Sequence, residues 1–255
     1  MIRRIENLSD IRLDLRDSHY SRTILSHMRA YGTDFGFCEL YEIVSNHRTA
    51  GFIACYNSSL AADFLDDVKI TSACRREIAE FIAFKCPNSA EIPRELCPKT
   101  GFRGYNKIKR TFFSVPYGDT SKDLCDDPNI DHVFNTVYGY EGTSDYGLWL
   151  TDTVRRRNRA MLRLYSYNSS VLTVRFMIGG QAYITDVATP PVDRGKGYAA
   201  ELLRRASFAL YKDNFKSYLC AKEHVAGYYK RLNYPELGTD YIFEKKERLK
   251  DEQPF

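Results

Sequence analysis

The chain has no Cys-x-x-Cys pair, no clustered histidines, no apolar run of membrane-spanning length and no strong excess of either charge. Each absence removes a class of protein. The seven cysteines, Cys38, Cys55, Cys74, Cys86, Cys97, Cys125 and Cys220, are odd in number and irregularly spaced, as expected of reduced thiols rather than a disulfide framework. The five histidines, His19, His27, His47, His132 and His224, are scattered, so no structural metal is expected. A membrane-spanning helix needs about 20 consecutive apolar residues, and Met1-Ile-Arg-Arg-Ile-Glu-Asn7 lacks the apolar core of a signal peptide. The expectation is a cytoplasmic protein with no membrane partner. A formal charge of +4 suits an anionic small molecule but is too weak to argue for nucleic acid.

What is present is a chain of 255 residues, rich in Tyr (19) and Phe (15), long enough for one large domain or two small ones. Tyr20–Tyr31 reads as a helix opened by Asp17 or Ser18, with Ile24, Leu25 and Met28 on one face. Cys38–Val44 and Ala50–Tyr56 read as strands around a polar turn. Ser59–Asp67 reads as a short strand, Ser72–Phe84 as a helix, Ala90–Leu96 as a strand and turn, and Lys107–Val115 as a closing strand. The polar, turn-rich stretch after Pro116 is the candidate linker, which divides the chain into 1–116, 117–129 and 130–255. Beyond it, Ile130–Tyr138 and Ser144–Arg157 read as helices. Ala160–Tyr165, Val171–Ile178 and Gln181–Thr189 read as strands, Ser217–Ala221 as a strand, Ala221–Leu232 as a helix and Tyr241–Lys245 as a last strand. The Arg155–Arg159 run, with no interleaved aromatics, reads as a solvated helix end, and the charged tail 247–255 is expected to fray.

The most specific stretch is Val187-Ala-Thr-Pro-Pro-Val-Asp-Arg-Gly-Lys-Gly-Tyr-Ala-Ala200, a strand, a double-proline turn and the start of a helix. A diphosphate needs converging N–H donors, close backbone approach and positive potential. Gly195 and Gly197 allow the approach. The helix from Tyr198 offers unpaired N–H groups and the positive end of its dipole. Arg194 and Lys196 add charge, and the small Ala199 keeps the first turn close. Ala199, Leu202, Leu203, Ala206 and Leu210 recur at helical spacing. Arg194-Gly-Lys-Gly-Tyr-Ala199 fits Arg/Gln-x-x-Gly-x-Gly/Ala and resembles the pyrophosphate loop of the GNAT superfamily of N-acetyltransferases. The resemblance extends over about residues 130–246. It implies an α/β (α+β) fold with a mixed central sheet flanked by helices, acetyl-CoA as cosubstrate with no metal, and acyl transfer to an amine. It also implies that pantetheine lies along Val187 and Ala188, where the strand would splay from Leu219-Cys220.

Ala226-Gly-Tyr-Tyr-Lys-Arg-Leu-Asn-Tyr234 resembles the superfamily's late motif, often Phe-Tyr-Glu-Lys-Leu-Gly-Phe. Tyr229 then takes the place of the tyrosine that protonates the departing thiolate. An aromatic pair on a helix is also ordinary core packing. Asn233 replaces the usual glycine, a mild change because Asn tolerates left-handed dihedrals. Lys230 replaces the usual Glu, and Lys222, Glu223 and His224 stand where an asparagine is often found. The attacking amine must be neutral, and the superfamily commonly uses a carboxylate near the strand before the loop. Asp186 is that candidate, with an ion pair to a nearby arginine as the alternative. Glu223 and His224 are weaker candidates. Strict alternation would put Ile184, Asp186 and Ala188 on one face and Thr185 and Val187 on the other. Cys220 reads as a small packed residue rather than a nucleophile.

Residues 1–116 carry no such loop, since Thr100–Tyr105 has the wrong spacing. The expectation is a tandem protein of the kind known in bacteria, a degenerate GNAT-like N-terminal half beside an active C-terminal one, with an unrelated α+β cap as the alternative. The acceptor is expected to be an amine on a small molecule or peptide. The sequence leaves the oligomeric state open, a homodimer included. A non-catalytic acyl-CoA-binding protein and an aminoacyl-transferase using charged tRNA are the competing functions, and the weak charge argues against the second.

Overall fold

The computed structural model describes residues 1–7, 16–98, 101–139 and 145–246. The expected fraying of 247–255 and the expected helix start at Ser144 lie outside the described residues. The chain divides into two compact units, one of residues 1–110 with 240–255 and one of 111–239.

The first unit begins with β1 (Ile2–Arg4) and α1 (His19–Tyr31). Ser18 caps α1 by accepting from the Ser21 N–H, which decides between the two candidate caps. β2 (Cys38–Ser45), β3 (Arg48–Tyr56) and β4 (Ser59–Phe64) form an antiparallel meander after β1. The helix α2 (Ser72–Lys85), capped by Thr71, then leads to β5 (Ser89–Glu91), which pairs parallel to β4. The core contains Ile53, Ile78, Ile82 and Phe243, all buried. At Gly51 a Cβ would sit 2.2 Å from the Asp63 carbonyl oxygen, so β3 and β4 approach closely only because the side chain is missing.

The second unit carries the loop singled out above. α3 (Ile130–Tyr138) and α4 (Tyr146–Asn158) precede an antiparallel set, β7 (Arg163–Tyr167), β8 (Ser170–Ile178) and β9 (Gln181–Ala188). α5 (Tyr198–Lys212) follows the loop and leads to β10 (Lys216–Lys222), which pairs parallel to β9. α6 (Glu223–Arg231) closes this run. β6 (Tyr105–Ser114) and β11 (Glu236–Lys245) contribute residues to both units. Of the predicted stripe of α5, Leu202, Leu203, Ala206 and Leu210 are fully buried against Val174, Ile184 and Leu219, while Ala199 is half-buried and lines a cavity. Each of the leucine, isoleucine and valine side chains gains roughly 1.5–3 kcal/mol from removal from water.

Several boundaries differ from the sequence reading. β7 starts at Arg163 rather than Ala160, because Ala160 adopts a left-handed φ of 54° and the Met161 N–H turns back to the Arg156 carbonyl. β11 starts at Glu236 rather than Tyr241, and its first four residues are exposed and lack any apolar alternation. The 117–129 stretch is anchored within the second unit: Cys125 and Ser166 exchange two backbone hydrogen bonds of 2.9 Å, and the Gly118 N–H donates to Arg204. Arg156 corrects the solvated-end reading of the arginine run. It is wholly buried, and its Nε donates to Asp152 Oδ1 at 2.6 Å.

Candidate active site

β9 is the element that shapes the site. It pairs with β10 from Gln181–Lys216 to Ile184–Leu219, and the ladder ends there. On its other side β9 pairs Thr185 with Thr173 and Ala188 with Val171, so Asp186 and Val187 together oppose Leu172. That is a β-bulge, with Asp186 in the left-handed region at φ 52°. Asp is among the few residues that adopt this conformation readily. The bulge overturns the strict alternation expected of this strand. Asp186, Val187, Ala188 and Thr189 all line one cavity of about 850 Å³.

Beyond Thr189 a short 3₁₀ turn (Pro191–Asp193) aims the chain at α5. Gly195 and Gly197 have φ of 81° and 79°, and a Cβ on either would meet nothing within 4 Å. The glycines are therefore demanded by dihedral, and open space lies over both. Gly197 caps α5 without any side chain, and the first carbonyl it supplies is taken by the Glu201 N–H. The N–H groups of Tyr198, Ala199 and Ala200 precede the first helical hydrogen bond, and these residues line the cavity. Arg194 also lines it, with its Nε donating to the Thr189 carbonyl at 3.1 Å. Lys196 instead turns to Asp193 at 2.5 Å and is not part of the lining. The Lys196 ammonium in turn holds the Asp193 carboxyl below its ordinary value. Bare N–H groups, two glycines in positive φ and an arginine suit a diphosphate.

The opposite wall comes from α6, where His224, Val225, Tyr228, Tyr229 and Leu232 line the cavity. Glu223 does not. Tyr229 is 7% exposed and packs against Phe113, with ring centroids 5.5 Å apart, and against Tyr234 at 5.8 Å. Burial, with the neighbouring Tyr228 adding to it, pushes its phenol up to about 12, so it carries its proton at neutral pH. Asn233 takes the left-handed φ of 56° that a glycine would take. Cys220 is half-buried and outside the lining.

Thr136 and Val137 of α3 complete the cavity, and no sequence signal pointed to them. Tyr138, next in the helix, lies near Asp186. Burial first, then the Asp186 charge, raises its phenol, while Arg175 acts the other way. Thr185 donates to Asp186 at 3.1 Å. Among the described residues no cation forms an ion pair with Asp186, so the arginine alternative is not what the fold builds. The half-buried carboxylate instead faces hydroxyl groups. Among the described residues no cluster of His, Cys, Asp and Glu could hold a metal ion, and no helix is long and apolar enough to cross a membrane.

No family model matches the sequence, and no curated protein matches it at a significant level. Solved structures do match. An acetyltransferase of the GNAT family from Colwellia psychrerythraea superposes with a TM-score of 0.56 at 13% identity, over 96% of this chain and 100% of that one. A GCN5-related N-acetyltransferase from Sphaerobacter thermophilus gives 0.58 at 14%, over 88% and 85%. A tandem GNAT protein from the clavulanic acid biosynthesis pathway gives 0.50 at 8%, over 95% and 97%. The chain has the fold of the GNAT acetyltransferases.

Proposed function

We propose that the protein is an acetyl-CoA-dependent N-acetyltransferase whose acceptor is an amine on a small molecule or peptide. The observation that carries this reading is the glycine loop at the uncapped start of α5, opening on the cavity that Asp186 and Tyr229 also line. In it the N–H groups at 198–200 and Arg194 hold the diphosphate, and the unpaired edge of β9 at Val187 and Ala188 receives the pantetheine amides. Acetyl-CoA supplies an activated acyl group. Asp186 takes the proton from the incoming amine, directly or through water, held by Thr185 with Tyr138 nearby. Tyr229 gives its proton to the departing sulfur, and the protonated phenol it presents at neutral pH is the form this role needs. Lys196 adds potential at the rim.

The same order of three antiparallel strands, a helix and a parallel strand occurs in each unit, as β2–β3–β4, α2, β5 and as β7–β8–β9, α5, β10. Between β4 and α2 the sequence is Leu65-Asp-Asp-Val-Lys-Ile-Thr71, with no glycine. This supports a tandem protein whose N-terminal half, to about residue 116, has lost the loop, with the C-terminal half active. The protein works in the cytoplasm, without nucleic-acid or membrane partners.

Isothermal titration with acetyl-CoA tests the reading, beside an Arg194→Ala/Gly197→Glu variant. Micromolar binding that the variant loses, followed by turnover on an amine panel, is the expected result. No binding by the unmodified protein removes the reading, and binding without turnover on any amine leaves a non-catalytic acyl-CoA-binding protein.

A further inference from the structure

The first unit has a hollow of its own, of about 480 Å³, where α2 meets the chain that enters β6. It shares no lining residue with the candidate active site. Ala79, Ile82 and Ala83 of α2 line it together with Phe102 and Tyr105. The aromatic side is held in place. Phe102 packs edge-on against Phe243, with centroids 4.7 Å apart, and the Tyr105 hydroxyl donates to the Pro87 carbonyl at 2.7 Å. With that hydroxyl engaged, these five residues offer the hollow mainly carbon.

The charged residues around it are one-sided. Arg75, Arg76 and Arg103 line the hollow against the single carboxylate of Glu80. Among the described residues none of these four forms an ion pair, although Arg76 and Glu80 stand four apart on α2. Elsewhere arginines of this chain find carboxylates, as Arg163 does with Asp213 and Arg157 with Asp127. Arg75 is anchored, its Nε donating to the Glu95 carbonyl at 2.7 Å. That fixes the guanidinium while its two terminal nitrogens have no partner among the described residues. Three guanidiniums around one hollow repel each other, and a bound anion relieves the repulsion. Concave, mostly apolar walls with a few placed polar groups are the usual setting of small-molecule sites.

We propose that this hollow binds a small apolar molecule bearing one carboxylate. The apolar body lies on Ala79, Ala83 and Phe102, and the carboxylate meets the arginines, whose parallel N–H donors match its two oxygens. Glu80 at the same hollow favours a singly charged head over a doubly charged phosphate. The site is separate from acyl transfer, and its test needs no acetyl-CoA.

Fluorine NMR titration of the full chain with 4-(trifluoromethyl)benzoate tests the proposal, beside the neutral 4-(trifluoromethyl)benzyl alcohol and 4-(trifluoromethyl)phenyl phosphate. The unmodified protein is expected to bind the benzoate saturably and more tightly than either of the others. Arg75→Gln/Arg76→Gln/Arg103→Gln changes only side chains with access to solvent and should fold. It is expected to weaken the benzoate about tenfold or more and to abolish its preference over the alcohol. Ala83→Phe, on the exposed side of α2 and checked by thermal melting, should fill the space and block all three probes. Arg194→Ala, at the other cavity, should bind the benzoate as the unmodified chain does. Absence of saturable benzoate binding, equal binding of the alcohol, tighter binding of the phosphate, or benzoate binding that the triple variant retains and Arg194→Ala loses, overturns the proposal.

Discussion

At the scale of single residues, Asp186 and Tyr229 are set by different forces. Asp186 sits in a left-handed bulge and accepts from the Thr185 hydroxyl, with Tyr138 nearby. Asn adopts the same backbone region, so Asp186→Asn removes the charge without moving the strand. We expect kcat to fall about 10²–10⁴-fold while acetyl-CoA affinity in titration is unchanged. An equal loss of both would place Asp186 in binding instead. Tyr229→Phe should also lower kcat, most for poorly activated thioesters, and product formation under saturating acetyl-CoA measures it. The raised Tyr229 phenol has a further consequence. Its folded value of about 12 lies above the ordinary 10.0, so the folded state favours the neutral form. That contribution to stability is complete below about pH 10 and is lost as pH rises toward 12. Thermal melting across this range should fall less steeply in Tyr229→Phe than in the unmodified chain. Arg156 is the opposite case, a permanent charge without exposed surface. Its Asp152 partner also lies 3.3 Å from Arg175. Asp152→Ala removes the carboxylate 2.6 Å from this buried cation and should cost about 3–5 kcal/mol in denaturant unfolding.

At the scale of elements, the loop before α5 turns through left-handed dihedrals at two points, which glycine adopts at least cost. Gly197→Ala meets no neighbouring atom but must hold a φ of 79°. We expect about 1–2 kcal/mol of destabilisation together with weaker acetyl-CoA binding. A stable variant that binds normally would mean that the loop tolerates another conformation. α5 itself was legible in advance because its burial follows the 3.6-residue period. β9 was legible as a strand but not as a bulged one. Period-2 patterning carries no mark of where an extra residue enters the ladder, and that residue turned out to be Asp186. The same blindness applies to Thr136 and Val137, which reach the cavity through the packing of α3 and carry no pattern of their own. Arg156 was misread because four neighbouring basic side chains resemble a solvated end, although Asp152 four residues earlier was the available clue.

At the scale of the whole molecule, the thiols report on packing. Cys86 and Cys125 are exposed, Cys38, Cys55 and Cys74 are buried, and all seven are free. Burial pushes the Cys55 thiol up to about 12 and raises Cys74 as well. An aromatic disulfide reagent at pH 8 should label two thiols rapidly in the native protein and all seven in denaturant. Rapid labelling of the buried three would mean that the first unit opens readily. The two units share an element order that the strand patterns only hinted at, because Leu40-Tyr41 and Leu164-Tyr165 are too short a likeness to mark a repeat. The observed division at Arg110 and Thr239 also separates the end of β11 from the elements next to it in sequence.

By itself the sequence determined the class of fold, the position of the loop, the buried stripe of α5 and the tyrosine on α6. The class of fold rests on the resemblance of the loop and the late motif to the GNAT superfamily, and the others on local periodicity, on glycines at positions of required dihedral and on spacing along one helix. Only the tertiary structure decided that Asp186 faces hydroxyls instead of an arginine, that β9 parts from β10 after Ile184, and that Arg156 is buried. Each of these depends on which distant strand or helix lies alongside, and a side chain's partners across a sheet or between helices leave no periodic trace in its own segment.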